Sequence, residues 1–146
     1  MRQVLFAIMA LGLLSGCQST DDALTTSTTP VAVTGATAGA IAGDMTSRLA
    51  EQIGPTGTTL VKMDKDASEY AAALEAALTG WGYTVIADGK VGKDQKPIEI
   101  AWSIDSFDGQ VVLARLSTPS VVLGRAYTAT TAGATPASSL SVMKLN

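Results

Sequence analysis

The sequence predicts a small α+β domain: two helices on one face of a small antiparallel or mixed sheet, preceded by a signal peptide and a flexible tether. Three observations carry this. Apolar residues recur at helical spacing twice, around Met45–Ile53 and Tyr70–Trp81. A run with strict alternation, Pro97–Asp105, is followed by turn pairs and two further β-rich runs. The order of helix, strand, helix, strand and then a three-stranded meander segregates the helices from most of the sheet. The domain is expected over residues 41–130.

Residues 1–16 open the chain as a secretory signal. Arg2 supplies the charged start, Val4–Leu14 the apolar stretch, and Ser15-Gly16 the small residues before a cut. The apolar run is too short to span a bilayer as a helix, which takes about 20 residues. Its end, Leu14-Ser15-Gly16-Cys17, resembles the bacterial lipobox. In such signals the cysteine thiol takes a diacylglyceryl group, the chain is cut before it, and the new amine is acylated. Lipidation of Cys17 is the one site the residues assign. Cys17 is the only cysteine, so no internal disulfide exists, and there is no histidine to activate a thiol.

Residues 17–40 read as a tether. Serine and threonine dominate up to Pro30, with Leu24, Val31 and Val33 as the only apolar anchors. Gly35, Gly39 and Gly43 recur every four residues. They form either a small-residue helix face for a partner or membrane, or a flexible lead into the next helix. From Asp44, the spacing of Met45, Leu49 and Ile53 predicts a helix that stops at Gly54-Pro55. Thr58–Met63 is a strand by its β-branched content.

The second helix has Asp66 or Ser68 as cap and Glu69 in its first turn. Its stripe is Tyr70, Leu74, Ala77, Leu78 and Trp81, read as core, with Gly80 and Gly82 ending it around Trp81. Tyr83–Ala87 is a short strand and Lys90–Lys96 a polar loop. In Pro97–Asp105, Ile98, Ile100, Trp102 and Ile104 point one way. Asp108-Gly109 marks a two-residue hairpin. Gln110–Ser117 returns, Thr118-Pro119 turns again, and Ser120–Ala129 is the third strand. Residues 131–146 are expected to be a flexible tail.

Composition excludes several chemistries. Without histidine, neither a Ser-His-Asp nor a Cys-His set can be assembled, and zinc sites of histidine and cysteine are ruled out. No cofactor is expected. Asp64-Lys65-Asp66 lacks the glycine and glutamate of a calcium loop, and the glycine-rich segment lacks the lysine and hydroxyl of a phosphate loop. Asp105, Asp108 and Glu99 read as solvated turn and strand residues. A net charge of −3, one unit more negative once Arg2 is removed, gives no basic patch for nucleic acid. Arg125 and Tyr127 share a strand; they read as ordinary strand residues rather than an interface patch.

Three stretches together resemble the TrbH family of conjugal transfer lipoproteins of Ti-plasmid-type Trb systems. They are Leu13-Leu14-Ser15-Gly16-Cys17-Gln18-Ser19-Thr20, the segment from Val33 to Met45, and Gly124-Arg125-Ala126-Tyr127. The resemblance runs over essentially the whole chain. It implies a structural, non-enzymatic component of a type IV secretion apparatus, held to a membrane through Cys17 and bound to other Trb mating-pore subunits. The order of elements is also similar to small ring-forming periplasmic domains of DotD-type lipoproteins and secretin N-termini, which implies self-association in a ring by fold analogy alone. Gln18 after the lipidated cysteine implies the outer membrane, facing the periplasm. The competing expectation is a free-standing envelope lipoprotein that binds a small ligand or stabilises the outer membrane.

Overall fold

The computed structural model describes residues 33, 35–54 and 56–146. The signal peptide, Cys17 and the tether up to residue 32 lie outside the described residues. Helix α1 is Gly35–Ile53 and helix α2 is Glu69–Trp81. Among the described residues there are seven strands: β1 (Leu60–Met63), β2 (Thr84–Ile86), β3 (Ile98–Asp108), β4 (Val111–Ser117), β5 (Val121–Thr130), β6 (Gly133–Pro136) and β7 (Ser141–Lys144). The sheet order is β2-β1-β3-β4-β5-β6, with β7 also paired to β5.

The sheet is mixed. β1-α2-β2 is a crossover unit whose strands run parallel, Val61 opposite Val85, and β1 is also parallel to β3, Val61 opposite Ile98. Parallel neighbours need a helical crossover, which α2 supplies. From β3 onward every pairing is antiparallel.

Helix α1 begins nine residues before Asp44, so the glycine-rich segment is helical. Ala38, Ile41, Ala42, Met45 and Leu49 form its buried side. Alanines continue the apolar period where the larger residues stop, which carries the folded unit back past residue 41. Val33, read as tether, is buried in the same core. Gly35, Gly39 and Gly43 lie away from it: a Cβ at any of them would meet nothing within 4 Å. The close approach is instead at Gly133 on β6, where an added Cβ would sit 3.5 Å from that of Ala40. Thr37 Oγ1 donates to the Gly133 carbonyl at 2.9 Å and the Thr130 carbonyl at 3.2 Å, tying the start of α1 to the β5–β6 turn.

Helix α2 follows the sequence signals at its start. Ser68 caps it, its Oγ accepting from Ala71 N–H at 3.2 Å, and Asp66 Oδ1 accepts from Ser68 N–H. Its end differs. The helix runs through Gly80 and Trp81, and Gly82 closes it in the left-handed region with φ 101°. That last turn overhangs the core, so Trp81 is 47% exposed, in contrast to its expected burial. Tyr70, Leu74 and Leu78 are buried as the stripe predicts.

Ile100, Trp102 and Ile104 face the helices and are buried, with Ile98 half-buried beside them. The β3–β4 hairpin turns on Gly109-Gln110, not Asp108-Gly109: Asp108 pairs with Val111, and Gly109 has φ 53° at the first central position. A glycine there with a negative-φ residue after it is the pattern of a type II′ turn. One bulge sits just before, at Phe107.

The largest departure is at the end of the chain. Residues 131–146 are not a loose tail, since β6 and β7 pair in tandem along one edge of β5. Both strands are only four residues long and show no alternation of buried and exposed positions that marks them in the sequence. Backbone pairing to β5 holds these segments in place, with Ala134 and Leu140 packed against the core.

A helix–sheet staple and an open sheet face

Asp44 sits on the sheet side of α1, one residue before the buried Met45. Arg125 and Tyr127 are two residues apart on β5 and therefore point to the same face of the sheet. Their side chains converge on one oxygen of Asp44. Tyr127 Oη donates to Oδ2 at 2.6 Å, and Arg125 Nη1 donates to the same atom at 2.9 Å. Tyr127 is buried and Asp44 only partly exposed. Arg125 also reaches outward: its Nε donates to the Ser138 carbonyl at 3.0 Å, and Ser138 Oγ accepts from Ala126 N–H at 2.9 Å. One guanidinium thus joins α1, β5 and the link between β6 and β7. Arg125 and Tyr127, read as ordinary strand residues, are the polar staple of the domain. Nothing local in the sequence marks Asp44 for this role, since its partners are more than 80 residues away.

Arg48 lies beside the staple, its Nε 3.8 Å from Asp44 Oδ1, and pairs with Glu51 at 3.0 Å on the exposed side. Surface pairs of this kind contribute about 0–1 kcal/mol.

Burial is the first cause raising the Tyr127 phenol well above its ordinary value, and the hydrogen bond to Asp44 adds to it. The Tyr70 phenol is also pushed up by burial, and its hydroxyl has no protein partner among the described residues. A phenol whose pKa is raised by folding ionises first in the unfolded chain. Stability is therefore intact below about pH 10, the ordinary tyrosine value, and falls as the pH rises beyond it, by about 1.4 kcal/mol per pH unit for each phenol. The Tyr83 phenol is raised by burial as well, so urea titrations between pH 9 and 12 should show this fall, and Tyr127→Phe should reduce its slope by roughly a third to a half. An unchanged slope would mean that Tyr127 ionises freely in the folded state.

The sheet face away from the helices carries a cavity of about 340 Å³, floored by Ala101, Ser117 and Val122 and rimmed by Lys62, Asp64 and Thr118. Lys62 Nζ is 3.8 Å from Glu99 Oε1 in an exposed pair. The cavity is mainly apolar with a few polar groups at the rim, suited to an apolar side chain or a small ligand. Among the described residues, no cluster of histidine, cysteine, aspartate or glutamate is placed to hold a metal ion. Asp64 and Asp66 stand at the start of α2, Asp66 serving the cap; Asp105 and Asp108 flank the hairpin bulge. Among the described residues no helix is long and apolar enough to cross a membrane. Cys17 lies outside the described residues.

Comparison with known proteins is consistent over the whole length. The family model described as conjugal transfer protein TrbH matches residues 19–146. The chain is 63% identical over 149 residues to a probable conjugal transfer protein TrbH of Sinorhizobium fredii (strain NBRC 101917 / NGR234), covering 100% of both chains. No solved structure matches. Asp44, Arg125 and Tyr127 all fall within the matched region, and the chain belongs to the conjugal transfer protein TrbH family.

Proposed function

We propose that this protein is a lipid-anchored structural subunit of the apparatus that transfers plasmid DNA between bacteria. The observation that carries this is the family match over residues 19–146, joined to a lipobox-like signal that ends at Cys17. Lipid at Cys17 holds the chain in the envelope, at the outer membrane facing the periplasm. The tether spans from the lipid to Val33, and the domain binds neighbouring transfer subunits and other copies of itself. Its work is mechanical. A single lipid chain anchors only marginally, so protein contacts and multiple acyl groups reinforce one another. The absence of histidine and the scattered carboxylates support a structural rather than an enzymatic role.

The open-face cavity favours one second reading, a small-ligand lipoprotein of the envelope. The two differ in what deletion does to transfer.

Deleting the gene should lower plasmid transfer frequency by orders of magnitude and reduce the level of other pore subunits. Cys17→Ser should leave a folded domain that leaves the membrane fraction on salt washing, with transfer reduced to near the deletion level. Normal transfer in the deletion strain would overturn the structural role and favour the ligand reading. A Cys17→Ser protein that stays membrane-bound and supports full transfer would overturn the anchor.

A further inference from the structure

The two halves of one sheet edge are built differently. β6 and β7 lie end to end along β5, and their far sides form the edge of the sheet. Hydrogen bonds to β5 fix which backbone groups face out. Ala137 N–H donates to the Ala126 carbonyl at 2.8 Å, so in β6 the odd-numbered residues face β5 and the even-numbered ones face away. Pro136 is one of the latter. Its nitrogen stands where an outward N–H would be, and this half of the edge cannot donate there.

Leu145 N–H donates to the Ser120 carbonyl at 2.9 Å, so in β7 Ser141 and Met143 face β5 while Val142 and Lys144 turn their N–H and C=O groups outward. This half has no proline, bulge or inward charge; its one guard is Lys144 at the end of the strand, and an edge with free N–H and C=O groups is a template for another strand. Its apolar side chains are uncovered too: Val142 is 42% and Met143 46% exposed. The opposite edge, β2, has three residues and is followed by Asp88 and Lys90, so it offers much less.

We infer that β7 is the surface through which two copies of this chain associate, by antiparallel pairing about a two-fold axis. Directly opposed residues in an antiparallel pair must both face the partner or both face away. Only registers that keep this parity are allowed. The one that uses both outward residues sets Val142 opposite Lys144 of the second copy and Met143 opposite its own counterpart. Val142 and Lys144 then exchange all four outward hydrogen bonds. Met143 meets Met143 as a closely spaced non-hydrogen-bonded pair, placing apolar against apolar. Each Lys144 lies across from a valine rather than another lysine, which avoids the like-charge penalty of directly opposed cations. The register satisfies every outward backbone group of Val142 and Lys144 and sets no like charges opposite one another, which favours a second copy over an unrelated strand. A two-fold contact closes on itself. The unit it builds is a dimer, and a ring would need a further contact. The inference deepens the self-association proposed above but does not rest on the lipid or on transfer.

The experiment uses the full chain with Cys17→Ser, which removes the lipid acceptor and the native thiol. Sedimentation up to about 1 mM, the effective concentration a short tether provides, should show a monomer–dimer equilibrium. Val142→Pro removes an outward N–H that the monomer does not use; it should abolish the dimer while the melting curve is retained. If that variant fails to fold, Lys144→Pro tests the same edge. Met143→Cys should form a disulfide-linked dimer on mild oxidation several-fold faster than Val142→Cys or Trp81→Cys, because only the first pair faces itself at close range. A monomer at all concentrations, a dimer that persists in a folded proline variant, or equal cross-linking at the three positions would each overturn the inference. Loss of transfer with an intact dimer, or the reverse, would separate this result from the proposed role in conjugation.

Discussion

Asp44→Ala is expected to lower the stability of the domain by about 3 kcal/mol, a large part of the 5–15 kcal/mol that holds an ordinary domain folded. The substitution leaves two groups without their acceptor. The buried Tyr127 hydroxyl loses its acceptor, and the Arg125 guanidinium keeps the Ser138 carbonyl but loses its counter-charge. Stranding a buried donor costs more than the net value of the bond it made. Asp44→Asn should cost less, about 1–2 kcal/mol, since the amide oxygen still accepts from Tyr127. Thermal unfolding should show a shift of roughly 10 °C for the alanine variant. A double-mutant cycle with Arg125→Ala should give a coupling of 1 kcal/mol or more, about the range for residues sharing a network. A shift under about 2 °C would mean the staple contributes nothing. In cells a loss of this size reduces abundance, so transfer should fall in Asp44→Ala for want of protein.

Trp102→Ala is expected to cost about 4 kcal/mol, and Trp81→Ala less than about 1 kcal/mol. The sequence places both tryptophans in the core. Trp102 is 1% exposed on β3, opposite Leu116 and within the single apolar cluster beneath both helices. Removing its ring leaves a cavity that a close-packed interior fills only in part. Trp81 stands at the end of α2 and is exposed. Urea denaturation should move the Trp102→Ala midpoint down by roughly 3 M, taking about 1–1.5 kcal/mol per M for a domain of this size. Equal shifts for the two variants would contradict the burial difference. An exposed tryptophan costing little to fold is free to meet a partner, so Trp81→Ala with normal stability and reduced transfer would mark α2's end as a contact.

Much of the fold was legible locally. The N-cap of α2 and the alternation in β3 are short-range patterns that the structure follows, and the β3–β4 turn falls one residue beyond the pair the sequence marks. The site was legible only in part. The sequence flagged Arg125 and Tyr127 but treated them as unremarkable, because alternation reports which face a residue takes and not what lies above that face. Asp44 carried no local mark at all. It stands between a glycine-rich segment and the first periodic apolar residue, Met45.

The sequence by itself determined the class of fold, the two amphipathic helices and the central meander. These follow from periodicity, turn chemistry and small sequence spacings, all of which act between near neighbours. Only the tertiary structure decided that β1 joins the sheet in parallel, that α1 starts at Gly35, that β6 and β7 complete the edge, and that Asp44 is the acceptor for Arg125 and Tyr127. Each of these depends on a surface assembled from distant segments. A strand with exposed, small or polar side chains has no pattern of its own and is recruited by the backbone groups of the strand beside it. A carboxylate on a helix becomes structural when the packing of that helix on the sheet sets two donors from another strand within reach.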